Sequence, residues 1–306
     1  MLFRSVATMA VSLIVWGRSE ILLLERFCAD VRQVSFYSLA FTMAEQLLLV
    51  ATIFGTAAAT TLFVQYGRDK SRLPAIAASS FRYLALMSIP LHFIAASLAV
   101  PALVLLYGPK FQDAAMVVSL APLLCMFKAF ISPAQSLLQS SERQSYIIAA
   151  TVIAGVVDIG VAWYFIPAHG AVGACIGNGA AQAVAVGLIW AVAIYLYKVK
   201  LPWVQVAKIA FGSAVASLTA YLINSYTAHL VASYTVHLIA SRLAPLPGIL
   251  AGGSASLVVL FALFYLMRVL EPEDRARFSV LTGMLPKPIA VPVIMLLSVL
   301  IRTKYA

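Results

Sequence analysis

About eight apolar segments, each near or above the roughly 20 residues that cross a hydrocarbon core of about 30 Å, fill this chain almost from end to end. They run at about 6–27, 34–62, 82–106, 114–140, 145–166, 171–197, 203–224 and 247–269. Charged residues are only 10% of the 306, against about 25% in soluble domains. That is too few to build a polar shell, so the bilayer has to serve as solvent. Strands are excluded by pattern, because barrel segments alternate apolar and polar over about ten residues and no stretch here does so for long. Gly55, Pro90, Pro101, Pro122, Pro133 and Gly155 fall inside the segments. Helices in membranes tolerate such residues where neighbours satisfy the freed backbone groups. The fold class is all-α: a polytopic membrane protein of about eight transmembrane helices.

Orientation follows from the loops that carry Lys and Arg. One set holds Arg4, then Arg68, Lys70, Arg72 and Arg82, then Arg143, then Lys198 and Lys200, then Arg268, Arg275 and Arg277. The opposite set holds Arg26, Arg32, Lys110 and Arg242, and the 167–170 turn has none. The expectation is an even number of spans with both termini cytoplasmic. The net charge of +10 is then a topology signal and a contact with anionic lipid. It is not a nucleic-acid footprint.

Residues 227–243 are apolar but carry His229, His237 and Arg242, and they read as an extracytoplasmic amphipathic or re-entrant piece. Residues 288–301 are short for a crossing and read as an interfacial helix within a cytoplasmic tail, 271–306. Cys28, Cys125 and Cys175 stand in different segments. They suggest neither a disulfide framework nor a metal site. Tyr37, Tyr107, Trp163, Tyr164, Trp203 and Tyr226 lie near span ends, where amphipathic rings form an interfacial belt.

Ionisable groups near mid-bilayer cost several kcal/mol unless paired or hydrated, so each is a functional candidate. Five stand out: Arg18 and Glu20 in the first span, Glu45 in the second, Lys128 in the fourth and Asp158 in the fifth. At a rise of about 1.5 Å per residue, Lys128 and Asp158 sit roughly 18 and 21 Å from the 141–144 turn. Arg18 and Glu45 lie at similar depth from the other side. The expected pairs are Lys128 with Asp158, and Arg18 with Glu45 or Glu20, around a hydrated cavity. Asn178 and Gln182 share one face of the sixth span near Gly173 and Gly177. That pattern reads as close helix packing with amide hydrogen bonds, or as cavity lining. His92 is alone in the third span.

No catalytic constellation emerges. A phosphate-cradling Gly loop followed by Lys and Ser/Thr is absent, and the loop acids Asp30, Asp69, Asp113 and Glu142 are dispersed. The loops are too short for a catalytic domain. No enzyme, cofactor or metal is expected.

Three stretches carry a family resemblance. WGRSEILLLERFCADVRQVSFYSLAFTMAEQL (16–47) resembles the opening of the C-terminal half of bacterial polysaccharide-unit flippases of the O-antigen type. YGPKFQDAAMVVSLAPL (107–123) resembles that family's turn-to-helix segment. LLQSSERQSYIIAATVIAGVVDIGVAWYFIPAHGAVGACIGNGAAQ (137–182) resembles the two helices that follow, with Asp158 where the family usually has Asn. The resemblance implies membership of the multidrug/oligosaccharidyl-lipid/polysaccharide exporter superfamily, whose members move cargo by alternating access between two helix bundles.

On that resemblance, residues 1–200 correspond to the second bundle and 201–270 to two further helices. The expectation is that a first bundle comes from upstream sequence, a partner chain or a second copy of the chain, or else that the chain is a degenerate remnant of such a transporter. The implied function is flipping of a lipid-linked oligosaccharide across the bacterial inner membrane. Arg18 and Lys128 would attract its anionic pyrophosphate; Glu20, Glu45 and Asp158 would balance charge and take up H⁺ or Na⁺. Two alternatives stay open, a multidrug-type cation antiporter and a non-transporting scaffold of a polysaccharide-assembly complex.

Overall fold

The computed structural model describes residues 19–234, 244–271 and 274. Arg18, most of the expected first span and most of the tail therefore lie outside the described residues. Among the described residues, seven helices are long and apolar enough to cross a membrane: Arg32–Arg68, Lys70–Tyr107, Pro109–Ser140, Gln144–His169, Ala171–Tyr197, Trp203–Leu230 and Leu246–Leu266. The chain is a multi-pass membrane protein with an all-helical bundle.

The elements in order are α1 (Ser19–Phe27), α2 (Arg32–Arg68), α3 (Leu73–Tyr107), α4 (Ala115–Cys125), α5 (Ile131–Ser140), α6 (Gln144–His169), α7 (Ala171–Tyr197), α8 (Trp203–Tyr234) and α9 (Leu246–Leu266). A 3₁₀ turn, Met126–Phe130, joins α4 to α5 within one crossing. Pro133 supplies no N–H, so the helical partner of the Ala129 carbonyl is lost. The next carbonyl, Phe130, accepts instead from the Trp190 indole at 2.8 Å. α8 continues to Tyr234. Residues 227–234 thus extend a crossing helix rather than open a separate re-entrant piece, and the Thr227 hydroxyl is satisfied within it by the Ile223 carbonyl at 2.8 Å. Residues 235–243 lie outside the described residues.

Chain neighbours are not always packing neighbours. α6 packs on α7 and α1, whereas α4 and its 3₁₀ turn pack on α2, α3 and α7. Helices α8 and α9 form a hairpin laid against α3. Small residues allow the α6–α7 approach. A Cβ on Gly173 would stand 2.5 Å from the Phe165 carbonyl carbon, and one on Gly177 would stand 2.9 Å from the Ala162 Cβ. The GxxxG spacing is a packing seam, as its small residues lead one to expect.

Most of the apolar interior falls into two cores, with a small cluster of Ala154, Ala181 and Ala185 apart from both. One runs through Leu48, Phe81, Phe130, Leu137, Ile147, Ile189 and Trp190, toward the loops rich in Lys and Arg. The other runs through Leu24, Tyr37, Phe41, Leu103, Val117, Ile166 and Cys175. Along α2 the change falls between Ala44 and Leu48, along the α4–α5 crossing between Cys125 and Ala129, and along α7 between Cys175 and Val186. Glu45, Lys128, Asn178 and Gln182 occupy those intervals. The polar side chains form a layer between two apolar cores.

Candidate functional site

Two polar groups make up that layer. In the first, α1 brings Glu20 and Ser19 against α6 and α7. Ser19 Oγ donates to Asp158 Oδ2 at 3.1 Å, and Asn178 Nδ2 donates to Glu20 Oε1 at 2.7 Å. Gln182 Nε2 donates to Asn178 Oδ1 one helical turn along. Asn178 sinks this deep because glycines flank it. Gly177 meets Ala162 of α6, and a Cβ on Gly179 would stand 2.7 Å from the Leu124 side chain of α4. Glu20 and Asp158 are 1% and 2% exposed, so each carboxylate depends on its bonded partners to remain in the interior.

Those partners are incomplete. Glu20 Oε2, Asp158 Oδ1, Gln182 Oε1 and the Tyr37 hydroxyl are buried without a hydrogen-bond partner among the described residues. Glu20 and Asp158 are charge neighbours of one another, and both act on Tyr37. Two carboxyls together in a dry site cannot both carry charge at low cost. Such a site is suited to holding a proton or a small cation between them.

The second group is the Lys128–Glu45 ion pair, at 3.7 Å with both side chains about one-third exposed. Lys128 rides on the 3₁₀ turn, which aims it at α2. The expected Lys128–Asp158 pair is therefore wrong. It assumed that consecutive antiparallel helices face each other at mid-depth, but α6 turns Asp158 toward α1 and α7 instead. Arg18, the other expected cation, lies outside the described residues, and its proposed pairing with Glu45 or Glu20 lies there with it. The buried Cys125 thiol lies within electrostatic reach of both groups, Lys128 and Glu45 as well as Glu20 and Gln182.

Several assignments from sequence need correction. Tyr37 is not a belt residue; it is 1% exposed and faces the carboxyl pair. Tyr107, Trp163, Tyr164, Trp203 and Tyr226 are exposed as belt residues should be. His92 is fully buried and its Nδ1 is 2.7 Å from the Ser88 carbonyl oxygen. Arg82 is not a loop charge. It lies inside α3, donating to Asp274 Oδ1 at 3.1 Å and to the Val269 carbonyl at 3.3 Å. Asp274 also accepts from the Tyr83 hydroxyl, and Glu271 Oε2 stands 3.5 Å from Arg82. No sequence rule singles out this cluster, because 192 residues separate its two principal partners.

Comparison with known proteins shows where this fold recurs. No family model matches the chain, and no curated protein matches it. Among solved structures, the lipid II flippase MurJ in an inward closed conformation superposes with a TM-score of 0.63. Sequence identity is 17%, over 88% of this chain and 54% of that one. The chain thus has the fold of about half of a flippase, and spans about half its length.

Proposed function

We propose that this chain is a helix bundle of a bacterial inner-membrane flippase that moves a lipid-linked oligosaccharide from the cytoplasmic to the outer leaflet. The observation that carries the reading is the polar layer between the two cores, with its partly exposed lysine and its buried carboxyl pair. Groups this costly in hydrocarbon mark substrate and ion pathways. The fold shared with half of a lipid flippase supports the same class of work.

Division of labour follows from exposure. Lys128 is reachable and positive, so it meets the anionic pyrophosphate of the cargo, aided by Arg18. Glu45 holds Lys128 in place while the site is empty and yields it when cargo arrives. Glu20 and Asp158, buried and each with one oxygen unbonded among the described residues, take up H⁺ or Na⁺ to drive the return. Asn178 and Gln182 fix the Glu20 carboxyl in position. Both termini are cytoplasmic in this reading, and a second bundle or a second copy of the chain completes the pathway. A carboxylate-dominated cavity of a cation antiporter is disfavoured by the reachable Lys128.

Binding of a polyprenyl-pyrophosphate-linked oligosaccharide to the purified full chain tests the assignment. Lys128→Ala weakens binding by roughly ten- to hundredfold, the worth of a hydrogen bond to a charged group. Glu45→Gln frees the lysine and tightens binding. If both changes move affinity the same way, or neither moves it, the pair is a helix lock and not a cargo contact.

A further inference from the structure

Away from the polar layer, α3, the 3₁₀ turn, α7 and the start of α8 enclose an apolar chamber of about 430 Å³. Its walls are Phe81, Phe127, Phe130, Trp190 and Trp203, with Gly187 at one side. The Phe81 ring centroid stands 5.0 Å from that of Phe130, 4.9 Å from that of Trp190 and 6.0 Å from that of Trp203. The chamber opens sideways out of the bundle: Trp203 is 62% exposed, and a Cβ on Gly187 would meet nothing within 4 Å. In a multi-pass membrane protein that side faces hydrocarbon. No polar group waits inside for a headgroup or a sugar, so the chamber itself fits one hydrocarbon chain.

Charge at the mouth decides which lipid supplies that chain. Leu201 lines the chamber, and Lys198 and Lys200 precede it, both exposed. Lys198 ends α7 in the left-handed region at φ 55°, and its Nζ lies 5.1 Å from the Tyr195 ring centroid. Neither lysine meets a carboxylate among the described residues. Basic groups at the edge of a pocket between membrane helices attract anionic headgroups. We infer that this chamber is a binding site for an anionic glycerophospholipid of the surrounding bilayer: one acyl chain inside, the phosphate on Lys198 and Lys200. The inference does not rest on the cargo assignment, since the chamber shares no residue with the Glu20 or Lys128 groups.

Tryptophan quenching reads occupancy directly. The chain has four tryptophans; a Trp16→Phe/Trp163→Phe background leaves Trp190 and Trp203, both in the chamber wall. In nanodiscs doped with a small fraction of phosphatidylglycerol brominated along its acyl chain, those two are quenched well beyond the level seen with brominated phosphatidylcholine. Lys198→Glu/Lys200→Glu erases that preference, which falls roughly tenfold. Gly187→Phe fills the chamber and abolishes quenching by either lipid; the paired lysine change decides the matter should that variant not fold. Equal quenching by both headgroups, no response to the lysine changes, or displacement by polyprenyl phosphate but not by unlabelled phosphatidylglycerol would each overturn the inference.

Discussion

Asp274 shows how much one side chain outside the membrane can hold. It is buried against Arg82 and Tyr83, and Asp274 Oδ2 also accepts from the Glu271 backbone N–H at 2.8 Å. Burial alone drives its carboxyl up, but the hydrogen bonds from Arg82 and Tyr83 outweigh that and hold it below the ordinary range. With the folded value depressed, the stabilisation is complete above the unfolded Asp value of about 3.9. It is lost as pH falls through the lower folded value. Asp274→Asn leaves Arg82 with only the more distant, partly exposed Glu271 as counter-charge, a loss that stays below the roughly 3–5 kcal/mol of a fully unpaired buried charge. Thermal unfolding in detergent should show that drop at neutral pH, and a flatter acid limb than the parent chain has. The membrane-depth residues Glu20, Glu45, Lys128 and Asp158 were legible in the sequence, because a charge inside an apolar run is conspicuous. The pairing of Lys128 with Glu45 rather than Asp158 was not, since side-chain direction depends on which helices pack together. Tyr37 was misread for the same reason: near a span end, an amphipathic ring looks alike whether it faces lipid or the bundle.

At the scale of elements, the α6–α7 seam makes the clearest claim. Gly173→Ala places a methyl group 2.5 Å from the Phe165 backbone, and overpacking of this kind costs about 1–3 kcal/mol. Gly160→Ala, on the same pair of helices, meets nothing within 4 Å. It should be neutral or slightly stabilising, because Gly is the poorer helix former. Comparing the two melting temperatures separates a packing requirement from a general intolerance of change. Element positions were largely readable: the 171–197 segment coincides with Ala171–Tyr197, and the 114–140 segment falls within Pro109–Ser140. Helix ends beyond the apolar run were not. α2 extends to Arg68 and α3 starts at Leu73, since helices continue past the hydrocarbon where polar residues still form them. The 3₁₀ turn was also hidden, although Pro133 marks its neighbourhood.

For the whole molecule, alternating access needs two bodies, and the described helices superpose on about half of a flippase. A mass in detergent corresponding to two bundles, either two copies or one copy with a partner, is the outcome expected of a transporter. A scaffold carries no such requirement. The decisive experiment is transport itself. Proteoliposomes holding the full chain, together with any bundle that co-purifies with it, are loaded with a polyprenyl-pyrophosphate-linked oligosaccharide in the inner leaflet, and an impermeant glycosidase outside reports its arrival. The intact protein should expose the inner pool, while Lys128→Ala and Glu20→Gln should each slow exposure by roughly tenfold or more. Exposure no faster than in protein-free vesicles, or equal rates for the intact protein and Lys128→Ala, would contradict the account.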